Sequence, residues 1–368
     1  MKDMIYVTKA LLPSKKDYFA LLSDIWDTHC MTNYGPLHHQ FSEALKEYME
    51  IHYLSLCCNG HLGLESILQV MQLKGEVITT PFSFASSTNA ILRCGLTPVF
   101  CDVRMEDYTI DPEKIEACIT KNTSAILAVH VYGRLCCLEE IEEIARRHDL
   151  PVIYDAAHIF GIKCDDFNPY LFGTASVISF HATKVFNTIE GGAVITQNAG
   201  LNDKLDYNHN FGICDMESTE ITGGNAKMNE FSAAMGLCNL KLIQEEIQKR
   251  SKVAERYRQN LNTEKKIKLL SEQKGVHLNH AYFPIVFLQE ANPRDDIYRI
   301  LYENGYFARR YFYPLTCDLK CNQGKGRIAD NLKVARYVSD RVLCLPIYGD
   351  LEMKHVDRIC EIILQEVS

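Results

Sequence analysis

Between about residues 55 and 200, short apolar runs alternate with helical patterns, and this alternation constrains the fold more than any other feature of the chain. Val77-Ile78-Thr79-Thr80 is β-branched and stops at Pro81, and Pro98-Val99-Phe100-Cys101 leads into Asp102. A longer apolar run spans Ala125 to Val131, followed by a helical pattern with Leu138, Ile141, Ile144 and Ala145 on one face. Pro151-Val152-Ile153-Tyr154 runs into Asp155, and Ala175 to Phe180 and Ala193 to Thr196 are two further strands. Strands that are apolar throughout, rather than on alternate residues, are buried on both faces. With helices between them they predict an α/β fold around a mostly parallel sheet. Ligands of such sheets bind beyond the carboxyl ends of the strands, where Asp155 falls.

The pattern changes after about Gly236. Residues 231–262 predict one long, mostly charged helix carrying the chain out of a large domain, residues 1–240, whose first 20 or so residues are free to pack elsewhere. Residues 241–368 mix short strands and helices, as expected of a smaller α/β domain. With 368 residues there is material for both cores. A net charge of −8 argues against a nucleic-acid binder. The N-terminal Met1-Lys2-Asp3-Met4-Ile5-Tyr6 lacks the apolar run of a signal peptide, and no stretch has the roughly 18 apolar residues of a membrane span. The 15 cysteines are odd in number, with adjacent pairs at Cys57-Cys58 and Cys136-Cys137. Cys317 and Cys321 have no second pair at zinc spacing. These features fit free thiols in a cytoplasmic protein without a metal site.

Three short segments carry chemistry. Asn59-Gly60-His61 precedes a helix with apolar residues at 64, 67, 68 and 71, and a glycine there leaves N–H groups open to an anion. By itself this is also an ordinary helix start. There is no G-x-G-x-x-G and no Walker A pattern, which weakens a dinucleotide or P-loop reading. Asp155 ends its strand in Tyr154-Asp155-Ala156-Ala157-His158, where a carboxylate can serve a metal, a ribose or a protonated ring nitrogen. Ser179-Phe180-His181-Ala182-Thr183-Lys184 leaves a strand end, and Glu190-Gly191-Gly192 precedes the next strand. Lys184 therefore lies in a loop between two buried strands, an unusual place for a solvated lysine. Pyridoxal phosphate (PLP) needs an anion site for its phosphate, a carboxylate to keep its pyridine nitrogen protonated, and a lysine to hold it as a Schiff base. The three segments together supply all of these.

From Asn59 to Gly236 the chain resembles the DegT/DnrJ/EryC1/StrS sugar aminotransferases, within the fold-type I PLP enzymes. The matching runs begin with Thr32-Asn33-Tyr34-Gly35-Pro36, Val77 to Phe84, Thr97 to Val103 and Val129-His130-Val131-Tyr132-Gly133. They continue through the Asp155, Lys184 and Glu190 segments to Gly224-Asn225-Ala226-Lys227-Met228 and Arg309-Arg310-Tyr311-Phe312-Tyr313-Pro314. The resemblance implies that Lys184 carries the cofactor and that Asp155 partners its ring nitrogen. Gly60 and His61 stand where the family has Gly-Thr or Gly-Ser, whose backbone binds the phosphate, so a hydroxyl is replaced by an imidazole at 61. Phe84 matches an aromatic residue stacked on the ring, His158 a residue near its 3′ oxygen, and Ser179 a phosphate-binding hydroxyl. Asn225 matches an asparagine that reaches the neighbouring subunit's cofactor, which implies a homodimer with shared active sites. His181 is a candidate for facing the substrate, and Arg309, Arg310 and Tyr311 for contacting a nucleotide diphosphate.

The run His181 to Gly192 looks most like enzymes that aminate dTDP-4-keto-6-deoxyglucose with glutamate, giving dTDP-4-amino-4,6-dideoxyglucose for O-antigen synthesis. A 3-keto sugar nucleotide is the main alternative. In the related PLP-dependent sugar dehydratases the lysine is replaced by histidine, which Lys184 argues against. A non-catalytic paralogue is disfavoured by the retention of both Asp155 and Lys184.

Overall fold

The computed structural model describes residues 4–367; Met1-Lys2-Asp3 and Ser368 lie outside them. An eight-stranded sheet forms the centre. From one edge its strands run Arg327–Ile328, Thr97–Phe100, Glu76–Thr79, Thr123–Val129, Val152–Asp155, Ala175–Ser179, Gly192–Thr196 and Tyr53–Cys57. The first six pair in parallel, and the last two pairings are antiparallel.

Successive residues on these strands enter different cores, as the two-residue period of a strand requires. Val77, Leu127 and Ile153 pack into one cluster, whereas Ile78, Ile126, Ala128, Val152 and Tyr154 pack into another on the opposite face. Val177 joins the first of these, while Ile178 joins a third cluster with Leu54, Leu56, Ala193 and Ile195. Burial on both faces is what the continuous apolar runs predicted.

The helix Gly60–Val70 is capped by Asn59, whose side chain accepts the Leu62 N–H at 2.8 Å. Its apolar stripe at Leu64, Ile67 and Leu68 is buried. Gly63 lets this helix press on the sheet, since a Cβ there would lie 3.0 Å from Val177 Cγ1.

The expectation of one continuous helix over 231–262 is corrected. There are two helices, Glu230–Leu240 and Ile243–Leu261, interrupted at Lys241-Leu242. The first is buried on most sides, and its Asn239 is tied to the Asn187 carbonyl at 2.9 Å. The second shows a charged face to solvent and packs Val253, Ala254, Tyr257 and Leu261 into a fourth core. Different burial demands on the two stretches require a change of direction between them.

That fourth core includes a three-stranded antiparallel sheet, with Phe283–Phe287 between Ile267–Leu269 and Val342–Leu345, and the helix Met353–Val367. The N-terminal Ile5–Tyr6 pairs here, in parallel with Tyr306–Phe307. Conversely, Arg327–Ile328 leaves this part of the chain to become the edge strand beside Thr97–Phe100. No helix among the described residues is long and apolar enough to cross a membrane.

Candidate active site

A cleft of about 420 Å³ opens at the carboxyl ends of the parallel strands. The segments singled out in the sequence converge on it. Asn59, Gly60 and His61 line it from the helix start, Asp155 and His158 from the Val152–Asp155 strand and its turn, and Ser179, His181 and Lys184 from the following loop.

At the helix start, the Gly60 and His61 N–H groups have no partner among the described residues, since first-turn donors have none within the helix and the Asn59 cap serves Leu62. Gly60 is required by packing: a Cβ there would lie 2.9 Å from Ser179 Cβ and 3.2 Å from Ser179 Cα. The Gly192 Cβ position is equally tight, 2.6 Å from Gly60 N. The helix end is thus seated directly on two strand ends. His61 does not stand free in the cleft. Its Nδ1 lies 2.9 Å from Ser86 Oγ and its Nε2 2.9 Å from Glu65 Oε1, one turn along the helix.

Asp155 is buried, with two donors fixing its carboxylate. Ser87 Oγ donates to Oδ2 at 2.6 Å and the Ala157 N–H to Oδ1 at 3.2 Å. Ser83 Oγ continues the chain, 2.9 Å from Ser87 Oγ. Burial raises the Asp155 pKa, and the Ser87 and Ala157 hydrogen bonds and the Lys184 charge work against that rise. Lys184 is half-buried and makes no ion pair among the described residues. Desolvation lowers its pKa from 10.5 to about 8, opposed by the charge of Asp155. A sizeable share of its amine is therefore neutral near physiological pH.

His158 is held on both ring nitrogens. Its Nδ1 accepts the Tyr132 N–H at 3.1 Å and its Nε2 lies 3.2 Å from the Tyr282 hydroxyl. The ring stacks on Phe312 with centroids 6.1 Å apart and planes 2° from parallel. Burial, followed by the charge of Lys184, lowers its pKa well below the usual value, so the ring is neutral. Because Nδ1 accepts a hydrogen bond, the single ring proton sits on Nε2 and is donated to Tyr282.

Other expected residues lie elsewhere or are engaged. Phe84, 60 % exposed at the head of the helix Ala85–Arg93, lines this cleft and an adjoining one of about 290 Å³. Arg309 and Arg310 line only the adjoining cleft, whereas Tyr311 lines both. Arg310 pairs with Asp295 at 3.0 Å, and Arg309 lies over the Tyr311 ring at 4.9 Å. His181 sits 2.8 Å from Thr183 Oγ1 and 3.4 Å from Glu190, exposed at the rim. Asn225 is exposed and does not line its own chain's cleft; its side-chain oxygen accepts from Lys227 Nζ at 2.9 Å.

Several lining residues were missed in the sequence. Ser83 and Ser86 line the cleft while Ser87 sits behind it on Asp155, and all three follow the Glu76–Thr79 strand in a serine-rich stretch, which is a usable signal. Tyr282 and Phe312 come from the C-terminal half and carry no local mark of their position.

The donor set suits PLP. Open helix N–H groups fit its phosphate, a buried carboxylate fits its pyridinium, a lysine of lowered pKa fits its aldehyde, and aromatic side chains border the space between. Fold and site together define a PLP enzyme. Residues 14–364 match the DegT/DnrJ/EryC1/StrS aminotransferase family. A dTDP-4-amino-4,6-dideoxy-D-glucose transaminase of Escherichia coli is 40% identical over 365 residues, 98% of each chain. The structure of DesI in the presence of its TDP-sugar product superposes with a TM-score of 0.93 at 30% identity, covering 99% of this chain and 93% of that one. The NtdA structure from Bacillus subtilis, with bound cofactor PMP, gives a TM-score of 0.87 at 28% identity over 96% and 81% of the two chains. This chain belongs to the DegT/DnrJ/EryC1/StrS family and is a PLP-dependent aminotransferase.

Proposed function

We propose that the protein moves the amino group of glutamate to dTDP-4-keto-6-deoxyglucose, giving dTDP-4-amino-4,6-dideoxyglucose. The observation that carries the chemistry is one cleft lined by both Lys184 and Asp155, the lysine lowered to about 8. Full-length identity of 40% to a transaminase of that name supports the substrate. The product's use in O-antigen or a related glycan, and a cytoplasmic location, belong to the same proposal.

Bound PLP supplies an electron sink that makes a proton on the adjacent substrate carbon acidic. Asp155 would keep the ring nitrogen protonated, and the hydrogen bonds from Ser87 and the Ala157 N–H favour its ionised form against the effect of burial. Lys184 Nζ, lowered to about 8 so that a share of it is neutral near physiological pH, would take the proton from the substrate carbon and hand it on. Gly60, His61 and Ser179 would hold the phosphate, and Phe84 and His158 would border the ring. His181 borders the substrate at the rim. Arg309, Arg310 and Tyr311 receive the nucleotide diphosphate in the adjoining cleft, which shares Ser83, Phe84, Tyr311 and Phe312 with the first.

Asn225 works in the partner's cleft, in a homodimer with shared sites. Its exposure, and its absence from its own chain's cleft, support this assignment. The domains divide near residue 240, where the chain turns between the helices ending at Leu240 and beginning at Ile243.

The test is incubation with glutamate and a panel of 3-keto and 4-keto sugar nucleotides, with products identified by mass spectrometry and NMR. The 4-amino dTDP sugar is the expected product. Preferential amination at carbon 3 overturns the substrate assignment and leaves the family assignment standing.

A further inference from the structure

A further cavity, of about 30 Å³, is lined by Tyr132 and by Tyr282, and Tyr282 also lines the cleft of Lys184. Its lining includes Arg134, Arg258 and His280, together with Leu269, Leu270 and Phe283, and contains no carboxylate. Arg134 is only 4% exposed, and its Nε is buried without a hydrogen-bond partner. Arg258 is half-buried, and its Nε is buried and unpartnered as well. Its Nη1 is spent on the Leu270 carbonyl at 3.0 Å. Neither arginine forms an ion pair among the described residues.

The surrounding charges do not neutralise this cluster. Asp107 and Glu272 act on Arg134 only from a distance, and Asp107 is already engaged by both the N–H and the hydroxyl of Thr109. Arg250, the other cation near His280, is paired with Glu246 at 2.6 Å. Desolvation and the Arg258 charge lower the Arg134 pKa to about 10. Desolvation and three neighbouring arginines lower His280 to about 4. A buried guanidinium without a counter-charge is strongly unfavourable, and a bound anion removes that penalty.

We propose that this cavity is a binding site for one small monovalent anion of the size of chloride, held between Arg134 and Arg258. The volume accommodates a monatomic ion or a water or two. Arg134 lies in the turn after the Thr123–Val129 strand, and Arg258 in the last turn of the Ile243–Leu261 helix. The ion therefore joins the central sheet to the C-terminal half, in a cavity that shares Tyr282 with the cofactor cleft.

Bromide replaces chloride and is located by anomalous diffraction. The expected result for the holoenzyme in bromide is a peak between the two guanidinium groups, and no such peak in Arg134→Met. Thermal unfolding in chloride against fluoride, at equal ionic strength, gives a second readout that needs no crystal. At ten times its dissociation constant, chloride should multiply the folded-to-unfolded ratio about elevenfold. That gain should vanish in Arg134→Met and in Arg258→Met. In fluoride, Arg134→Met should be as stable as the wild type or more so, because it removes an uncompensated charge. Bromide confined to exposed arginines, or a chloride gain equal in wild type and both variants, overturns the proposal.

Discussion

Replacing Gly60 with alanine tests whether the helix end works as a phosphate seat, because the substitution leaves every side chain of the cleft in place. The new Cβ would lie 2.9 Å from Ser179 Cβ, against 3.4–4 Å for an ordinary contact. The backbone of Ser179 and the Ile178 carbonyl close off the alternatives at 3.2 and 3.3 Å, so no flexible side chain can yield. Relief requires the helix start to move off the strand end by about 0.5–1 Å, and overpacking of this kind costs about 1–3 kcal/mol. The same displacement lengthens the hydrogen bonds from the Gly60 and His61 N–H groups to the phosphate. A hydrogen bond to a charged group is worth about 1.5–3 kcal/mol. Losing one therefore weakens cofactor binding roughly ten- to hundredfold. The assay is titration of the cofactor-free protein with PLP, followed by absorbance, beside a thermal melt of the same preparation. Turnover at saturating PLP should fall much less than affinity. A variant that folds cooperatively and binds PLP within threefold of the wild type would refute the reasoning.

Three further outcomes are expected. Lys184 has a pKa of about 8 in the folded protein against 10.5 for an ordinary lysine, so folding suffers its full penalty below about pH 8. That penalty is relieved as pH rises from 8 to 10.5; cofactor-free Lys184→Met should be more stable than wild type at pH 7, with a gap that closes over this window in denaturant melts, and a gap independent of pH would count against the shift. Asp155→Asn should retain PLP yet slow the glutamate half-reaction by several powers of ten, each about 1.4 kcal/mol of barrier, and a loss under threefold in single-turnover kinetics rules out its role. Lys184→Ala and Asn225→Asp should each be nearly inactive alone but recover activity when co-expressed, since one site of a mixed dimer then carries neither defect; no activity above the parents removes Asn225 from the partner's site.

The sequence carries the centre of this molecule more clearly than its margins. Strands such as Val152–Asp155 are legible because burial on both faces forces an unbroken apolar run, and a charged residue at the end of one marks the mouth of the sheet. Asp155 and Lys184 could be placed in one cleft because, with the helix start at Gly60, they supply the three groups that PLP needs. Arg327–Ile328 could not be assigned to the sheet edge, because two residues are too few to show a period. The break at Lys241-Leu242 was invisible for a related reason: neither residue is a helix breaker, and the turn is imposed by the different surroundings of the two helices. Tyr282 and Phe312 reach the cleft through tertiary packing alone, more than 90 residues beyond Lys184 in the chain.

The fixed tautomer of His158 has a consequence for what the cleft can hold. Since the Nε2 proton already fills one lone pair of the Tyr282 oxygen, that hydroxyl has its own hydrogen to give and little left with which to receive. Burial raises the tyrosine pKa, so the hydrogen stays in place across the working range of pH. Tyr282 is thus polarised in one direction by a neighbour it does not exchange protons with. A ligand oxygen bearing a lone pair or a negative charge is welcomed at that wall, while a ligand N–H or O–H pointed at it finds only one remaining lone pair. A backbone amide at Tyr132, through a single imidazole, sets the polarity of a surface two residues away from itself in the hydrogen-bond chain.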